Sequence, residues 1–177
     1  MAHKKPSATA LFVTHGVWWI SQHPQLKSYL TPHLEASNKE LMSALYPKMF
    51  FIIKPVLLLK TTLMQKLSIT GFYLHFALRK RLIEEEANAM IRKGTQQVVI
   101  LGAGFDTLSL TLSRQAPNVA IFEVDQEATQ ILKQSLLRQT KDYNIHFLPL
   151  DFNVESLLYH LKTHPYYDMQ KKIFFYN

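Results

Sequence analysis

A glycine-rich turn is the first feature of this sequence whose residue types and spacing could bind a ligand. Gly102 and Gly104 follow the apolar run QQVVIL and precede a helical pattern. Such a turn lets the backbone approach a ligand closely, and the N-terminus of the next helix attracts polar or anionic groups. Because tight turns also use glycine for structural reasons alone, the turn needs support from other residues.

Acidic residues at the ends of the next two predicted strands supply that support. Glu123 and Asp125 follow the glycines by about twenty residues, at the position where a carboxylate accepts the ribose hydroxyls of a nucleoside. Asp151 ends the following strand. Since the carboxyl ends of parallel strands meet at one edge of a sheet, the turn and these acids predict a nucleoside-binding site there.

The spacing within the turn narrows the class of nucleoside. A dinucleotide fingerprint needs a third glycine or alanine where this chain has Thr107, and no Lys-Ser or Lys-Thr pair follows the glycines as a P-loop requires. A loop that approaches a small uncharged or cationic group fits better than one that wraps a pyrophosphate. S-adenosylmethionine carries such a group, and a nicotinamide cofactor is the remaining alternative.

The periodicity of apolar residues predicts two regions that divide at about Gly94. Residues 1–93 have helical patterns throughout and are expected to form an N-terminal cap or lid. Their last helix is predicted to start at Ile69 or Phe72 and to end at Arg92, and Gly94 then stops it.

Residues 94–177 alternate between strand and helix patterns. Four predicted strands and three predicted helices follow one another along this region: QQVVIL, 107–114, VAIFEVD, 126–140, NIHFLPLDF, 154–161 and KKIFFY. The alternation predicts an α/β fold, a Rossmann-like, doubly wound, mostly parallel sheet with a preceding helical region.

A long central stretch of the chain closely resembles the leucine carboxyl methyltransferase family. It reads RKRLIEEEANAMIRKGTQQVVILGAGFDTLSLTLSRQAPNVAIFEVDQEATQILKQ, and KPSATALFV near the start resembles the family's opening. LGAGFDT with FEVD downstream is the most specific part of the likeness. The resemblance implies an S-adenosylmethionine-dependent O-methyltransferase that acts on a carboxylate or hydroxyl of a small molecule or protein.

The same resemblance assigns roles in cofactor binding to six residues. Arg79 would bind the methionine carboxylate, and Gly102 and Gly104 would lie under the methionine portion. Asp125 would bind the ribose, and Asp151 and Phe152 would flank the adenine. Two alternatives stay open. Arg79 could belong to a salt-bridged helix face, and Asp151 could cap the next helix, whose predicted first turn holds Glu155. No catalytic residue is assigned: a carboxylate nucleophile needs no general base, whereas an alcohol or phenol would need one that the sequence does not identify.

The end of the sequence motivates a second hypothesis. Family members continue beyond the fourth strand, whereas this sequence stops at Asn177, and a complete sheet would need on the order of two or three further strands. The alternative is therefore a truncated, catalytically inactive domain that binds a nucleoside or a partner. An exposed sheet edge would then favour self-association.

Composition and charge exclude other classes. With no cysteine, the chain has no disulfide or thiolate metal site, and it suits a reducing, cytoplasmic location. The net charge is +7, but the densest basic cluster, 79–81, precedes the acids at 84–86 on one helix. A solvated, salt-bridged helix face is expected there, and no nucleic-acid partner.

Neither a membrane span nor a metal site is expected. The apolar stretch MFFIIKPVLLLKTTLMQKL contains Lys54, Lys60 and Lys66, which a membrane-spanning helix would lack. The stretch therefore predicts a helix that is buried or covered by a partner. His160 and His164 are four residues apart, but they lack the glutamate of an HExxH motif.

Overall fold

The structure is a computed structural model that describes residues 7–47, 50–137 and 144–176. Contacts divide the chain into two compact units: Ala8–Ile83, and Ser7 together with the described residues from Glu84 onward. Over the described ranges, the elements in chain order are α1 (Ala8–Ser21), α2 (Pro24–Lys27), α3 (Pro32–Leu45), α4 (Phe50–Leu67), α5 (Phe72–Arg92), β1 (Gln97–Leu101), α6 (Leu108–Gln115), β2 (Ala120–Asp125), α7 (Glu127–Leu137), β3 (Ile145–Pro149), α8 (Leu157–Thr163) and β4 (Ile173–Tyr176).

The first unit is helical, and proline sets the start of two of its helices. Pro24 and Pro32 occupy the first turn of α2 and α3, where a missing N–H costs nothing. Thr31 caps α3, since its hydroxyl accepts from the Leu34 N–H at 3.1 Å. The unit's core contains Val17, Trp19, Ile20, Leu30, Leu34, Tyr73 and Ala77. Within the described ranges, no helix is long and apolar enough to cross a bilayer.

Helix α5 ends at a glycine, as predicted. Gly94 has a φ of 91°, a backbone conformation that residues with a Cβ atom rarely adopt. Its N–H donates to the Ile91 carbonyl at 2.9 Å, and the Thr95 N–H donates to the Met90 carbonyl at 3.1 Å. This pair of bonds is the Schellman motif, which satisfies the last carbonyls of a helix and turns the chain into β1.

The predicted solvated face of α5 is wrong at one of its acids. Glu84 is buried, and its carboxylate accepts from Gln115 Nε2 of α6 at 3.0 Å. Gln115 Oε1 in turn accepts from Asn88 Nδ2 at 2.8 Å. Residues 84–92 of α5 therefore pack on α6 through a polar network that i,i+4 spacing does not reveal.

The second unit contains a parallel sheet with the strand order β3-β2-β1-β4. β1 pairs with β2 on one side and with β4 on the other, and β2 pairs with β3. This confirms the predicted α/β fold with its parallel sheet. The order reverses at β1, so the loop after β1 lies at the switch point where α/β sheets bind ligands.

Helix α8 starts later than predicted, at Leu157 instead of residue 154. The Asp151 carbonyl accepts from the N–H groups of Val154 and Glu155, both at 3.0 Å, which holds the preceding residues in a turn. Ser156 then caps α8 by accepting from the Tyr159 N–H. The predicted end of α7, 138–140, lies outside the described residues.

Two histidines pack with aromatic rings against β2. The His146 ring stacks on Tyr166 with centroids 4.4 Å apart, and His164 contacts Phe122 edge-on at 5.3 Å. The two imidazole centroids are 5.1 Å apart. Burial lowers the pKa of both histidines, and the neighbouring His164 lowers the pKa of His146 further.

These lowered pKa values predict an acid-sensitive fold. Below about pH 6.5 the unfolded chain takes up protons that folded His146 and His164 resist, so the free energy of unfolding falls as pH drops. His146→Phe keeps a ring on Tyr166 and should lose less stability between about pH 7.5 and about pH 5.5, measured by urea unfolding. The exposed control His33→Gln should behave like the wild type. An equal loss in His146→Phe and the wild type would contradict this account.

Candidate functional site

The loop between β1 and α6 begins with two glycines in the left-handed region. Gly102 has φ 61° and Gly104 has φ 49°, conformations that side chains disfavour. The Ala103 N–H donates to the Val124 carbonyl at 3.2 Å, and the Asp106 N–H donates back to the Ala103 carbonyl at 2.7 Å. The turn is thus bound to the end of β2 and closed on itself.

Asp125, the last residue of β2, lies against this turn. Its Oδ2 accepts from the Gly104 N–H at 2.5 Å, and its Oδ1 accepts from the Gln126 N–H at 2.6 Å. An ionised carboxylate has about four acceptor positions, so these bonds leave room for two more. Because Asp125 is half-buried, the remaining positions are open to hydroxyl donors from a ligand.

The other acid of β2 faces the interior. Glu123 is 1% exposed, and its Oε1 lies 2.6 Å from Nζ of Lys133, which is fully buried. The Ser109 hydroxyl donates to the same oxygen. Burial raises the pKa of Glu123, and Lys133 and Ser109 oppose that rise. Of the acidic pair that the sequence offered, the structure places only Asp125 where it could meet a ribose.

Lys133 connects this buried pair to the glycine loop. Its ammonium also donates to the Asp106 carbonyl at 2.5 Å. Asp106 Oδ1 accepts from the Leu108 N–H at 2.8 Å, at the start of α6. Lys133 therefore holds the loop between β1 and α6 through the Asp106 carbonyl, from the side away from solvent.

Asp151 and Phe152 follow β3 at the same edge of the sheet. The Leu150 N–H donates to the Asp125 carbonyl at 2.9 Å, which ties the two strand ends together. Asp151 Oδ1 accepts from the Asn153 N–H at 3.0 Å, so this side chain caps a turn and does not cap α8. Phe152 is half exposed, as an apolar platform for a ligand must be.

Comparison with known proteins decides the family. The leucine carboxyl methyltransferase family model matches residues 10–177, nearly the whole chain. The chain belongs to this family. The match confirms the resemblance that LGAGFDT and FEVD carry.

The chain is also similar to a curated protein over a shorter stretch. The putative S-adenosyl-L-methionine-dependent methyltransferase YktD of Bacillus subtilis (strain 168) is 42% identical over 62 residues. The match covers 33% of this chain and 20% of that protein. The similarity therefore covers only a part of each protein.

The chemistry of the loop fits the cofactor that the family name implies. Residues 102–107 contain no lysine or arginine, and the nearby Lys133 ammonium is committed to Glu123 and the Asp106 carbonyl. The loop therefore does not repel a sulfonium. Turns of this kind bind a pyrophosphate with backbone N–H groups, and they need a glycine or alanine where this chain has the buried Thr107. The donor and acceptor set suits S-adenosylmethionine better than a dinucleotide.

The remaining predicted site residue lies in the other unit. Arg79 is on α5, within Ala8–Ile83, whereas Gly102, Gly104 and Asp125 all lie in the α/β unit. A hydrogen bond joins Gly104 to Asp125, and Gly102 lies two residues earlier in the same turn. The role of Arg79 stays a prediction.

Sequence reasoning missed Lys133. The apolar periodicity of α7, with Ala128, Ile131, Leu132 and Leu136, correctly predicts a helix. Its fully buried residues are nevertheless Thr129, Gln130, Lys133 and Leu137, and Ile131 is exposed. A lysine four residues before the end of α7 carries no signal of burial, so only the position of Glu123 on the neighbouring strand could have suggested the pair.

Removal of either charge of the buried pair should destabilise the fold strongly. Lys133→Met leaves Glu123 as an uncompensated buried charge, and we expect it to lower the free energy of unfolding by about 3–5 kcal/mol. Glu123→Gln should cost a similar amount, and Lys133→Met/Glu123→Gln less than the sum of both. Chemical denaturation of all three measures these values.

An exposed ion pair provides the matched control. Lys171 lies 3.9 Å from Asp168 with both side chains about half exposed, so Lys171→Met should cost less than about 1 kcal/mol. If Lys133→Met lowers the free energy of unfolding as little as Lys171→Met does, the interpretation is wrong.

Proposed function

We propose that this chain binds S-adenosylmethionine and transfers its methyl group to an oxygen nucleophile. The acceptor would be a carboxylate or hydroxyl of a small molecule or a protein. The observation that carries the proposal is the Asp125 carboxylate, held against the Gly102–Gly104 turn in a chain of the leucine carboxyl methyltransferase family. The name of the Bacillus subtilis relative supports the choice of cofactor.

Binding of the cofactor would depend on the carboxyl edge of the sheet. Asp125 has acceptor positions left for the two ribose hydroxyls, and charge-assisted hydrogen bonds of this kind are strong. Phe152 would lie against the adenine and Asp151 beside it. The backbone of Gly102 and Gly104 would pass under the methionine portion, because no side chain stands between them and the ligand. The family resemblance alone assigns the methionine carboxylate to Arg79.

The residues of this chain would act on the reaction through position and charge. S-adenosylmethionine supplies, when bound, a methyl group on a positively charged sulfur. A loop without cations does not repel that sulfur, and the rigid turn would keep the donor aligned for in-line attack. A carboxylate acceptor is ionised at neutral pH, so the chain need not provide a general base for it. We place the activity in the cytoplasm, which the cysteine-free sequence supports.

Substitution of Asp125 should weaken cofactor binding without unfolding the chain. Asp125→Asn removes the charge that would bind the ribose hydroxyls, and we expect the Kd for S-adenosylhomocysteine to rise at least about tenfold. Isothermal titration calorimetry measures the change. Asp168→Asn is the control, because Asp168 is also half-buried and also accepts a backbone N–H, from Gln170 at 2.9 Å.

Two results would contradict the proposal. One is a folded wild-type chain that does not bind S-adenosylhomocysteine at about millimolar concentration. The other is Asp125→Asn and Asp168→Asn variants with the same affinity as the wild type. Binding of NAD in place of S-adenosylhomocysteine would instead support the nicotinamide alternative.

A further inference from the structure

Helix α4 presents an exposed apolar stripe. Its members follow one another at intervals of three or four residues and therefore lie on one face of the helix: Ile52, Val56, Leu59, Leu63 and Leu67. Each is between 54% and 75% exposed. The opposite face, with Leu57 and Thr61, is buried in the helical unit. A stripe of five large aliphatic side chains in water marks a surface that something covers.

Lysines border the stripe on both sides. At 100° per residue, Lys60 falls beside one edge of the stripe and Lys66 beside the other, and both are exposed. The charge near them along the chain is of one sign, because residues 41–83 contain seven lysines and arginines and no aspartate or glutamate. Whatever covers the stripe must therefore tolerate or attract cations along both of its borders.

This charge pattern argues against a second copy of the chain as the occupant. Two α4 stripes packed against each other would bring the bordering lysines of both copies together, and like charges at such an interface repel. The stripe also lacks the tryptophan, tyrosine and arginine anchors that dominate protein–protein interfaces. A fluid apolar layer beneath an anionic surface satisfies both the aliphatic stripe and its lysine borders.

We propose that α4 docks the chain onto the surface of an anionic lipid bilayer. The helix would lie parallel to the membrane, with Leu59 and Leu63 among the upper acyl chains. Lys60 and Lys66 would extend along their aliphatic stems to the lipid phosphates. The helix does not span the bilayer, in agreement with its lysine content and its single apolar face.

Vesicle flotation tests this docking with the full chain. We expect binding to vesicles of phosphatidylcholine with about one-third phosphatidylglycerol, little binding to pure phosphatidylcholine, and weaker binding as salt increases. Leu63→Gln should reduce the partition coefficient at least about tenfold. Lys60→Gln/Lys66→Gln should reduce it about twenty-fivefold, roughly fivefold for each lysine.

Matched variants elsewhere on the surface separate docking from general adhesion. Leu158 on α8 is as exposed as Leu63, so Leu158→Gln should leave the partition coefficient unchanged. Lys39→Gln/Lys162→Gln changes the net charge equally and should have a much smaller effect. Circular dichroism confirms that each variant is folded.

Three results would overturn the proposal. The first is no binding of the folded wild type to anionic vesicles at low salt. The second is an equal loss of binding in the α4 variants and their controls. The third is a dimer in sedimentation experiments that Leu63→Gln dissociates, because the stripe would then be an interface between copies.

Discussion

The ammonium of Lys133 and the carboxylate of Glu123 form an ion pair with no access to water, 2.6 Å apart between α7 and β2. Burial of two charges is costly, and their mutual attraction offsets that cost only while the geometry is kept. The pair therefore constrains the position of α7 against the sheet. Since Lys133 also holds the Asp106 carbonyl, the same constraint extends to the loop after β1.

This constraint separates the two acids of β2 into different roles. Glu123 binds Lys133 and Ser109 in the interior. Asp125, two residues later, lies at the carboxyl edge of the sheet and accepts a hydrogen bond from the Gly104 N–H. A loop without cations, which itself carries the half-buried Asp106, then lies against the half-buried carboxylate of Asp125. That environment is slightly negative, which suits a ligand with hydroxyl donors and a cationic sulfur.

The parts of the fold that local pattern determines could be predicted from the sequence. β-branched runs gave β1 and β2, and Gly94 marked the end of α5 because its φ of 91° suits glycine. The buried face of α7 could not be predicted, since lysine is stable inside only with a partner that tertiary structure supplies. The late start of α8 could not be predicted for a similar reason, because Asp151 holds the chain in a turn that competes with the helix.

The central claim is that Lys133 holds the loop that we propose binds the cofactor. Amide hydrogen exchange over residues 102–108, in the wild type and in Lys133→Met with and without S-adenosylhomocysteine, tests it most directly, with β1 as the internal reference. We predict that the ligand slows exchange in the wild-type loop, and that in the variant the loop exchanges faster and gains no protection, while β1 stays protected. Equal protection of this loop by the ligand in both proteins would contradict the account.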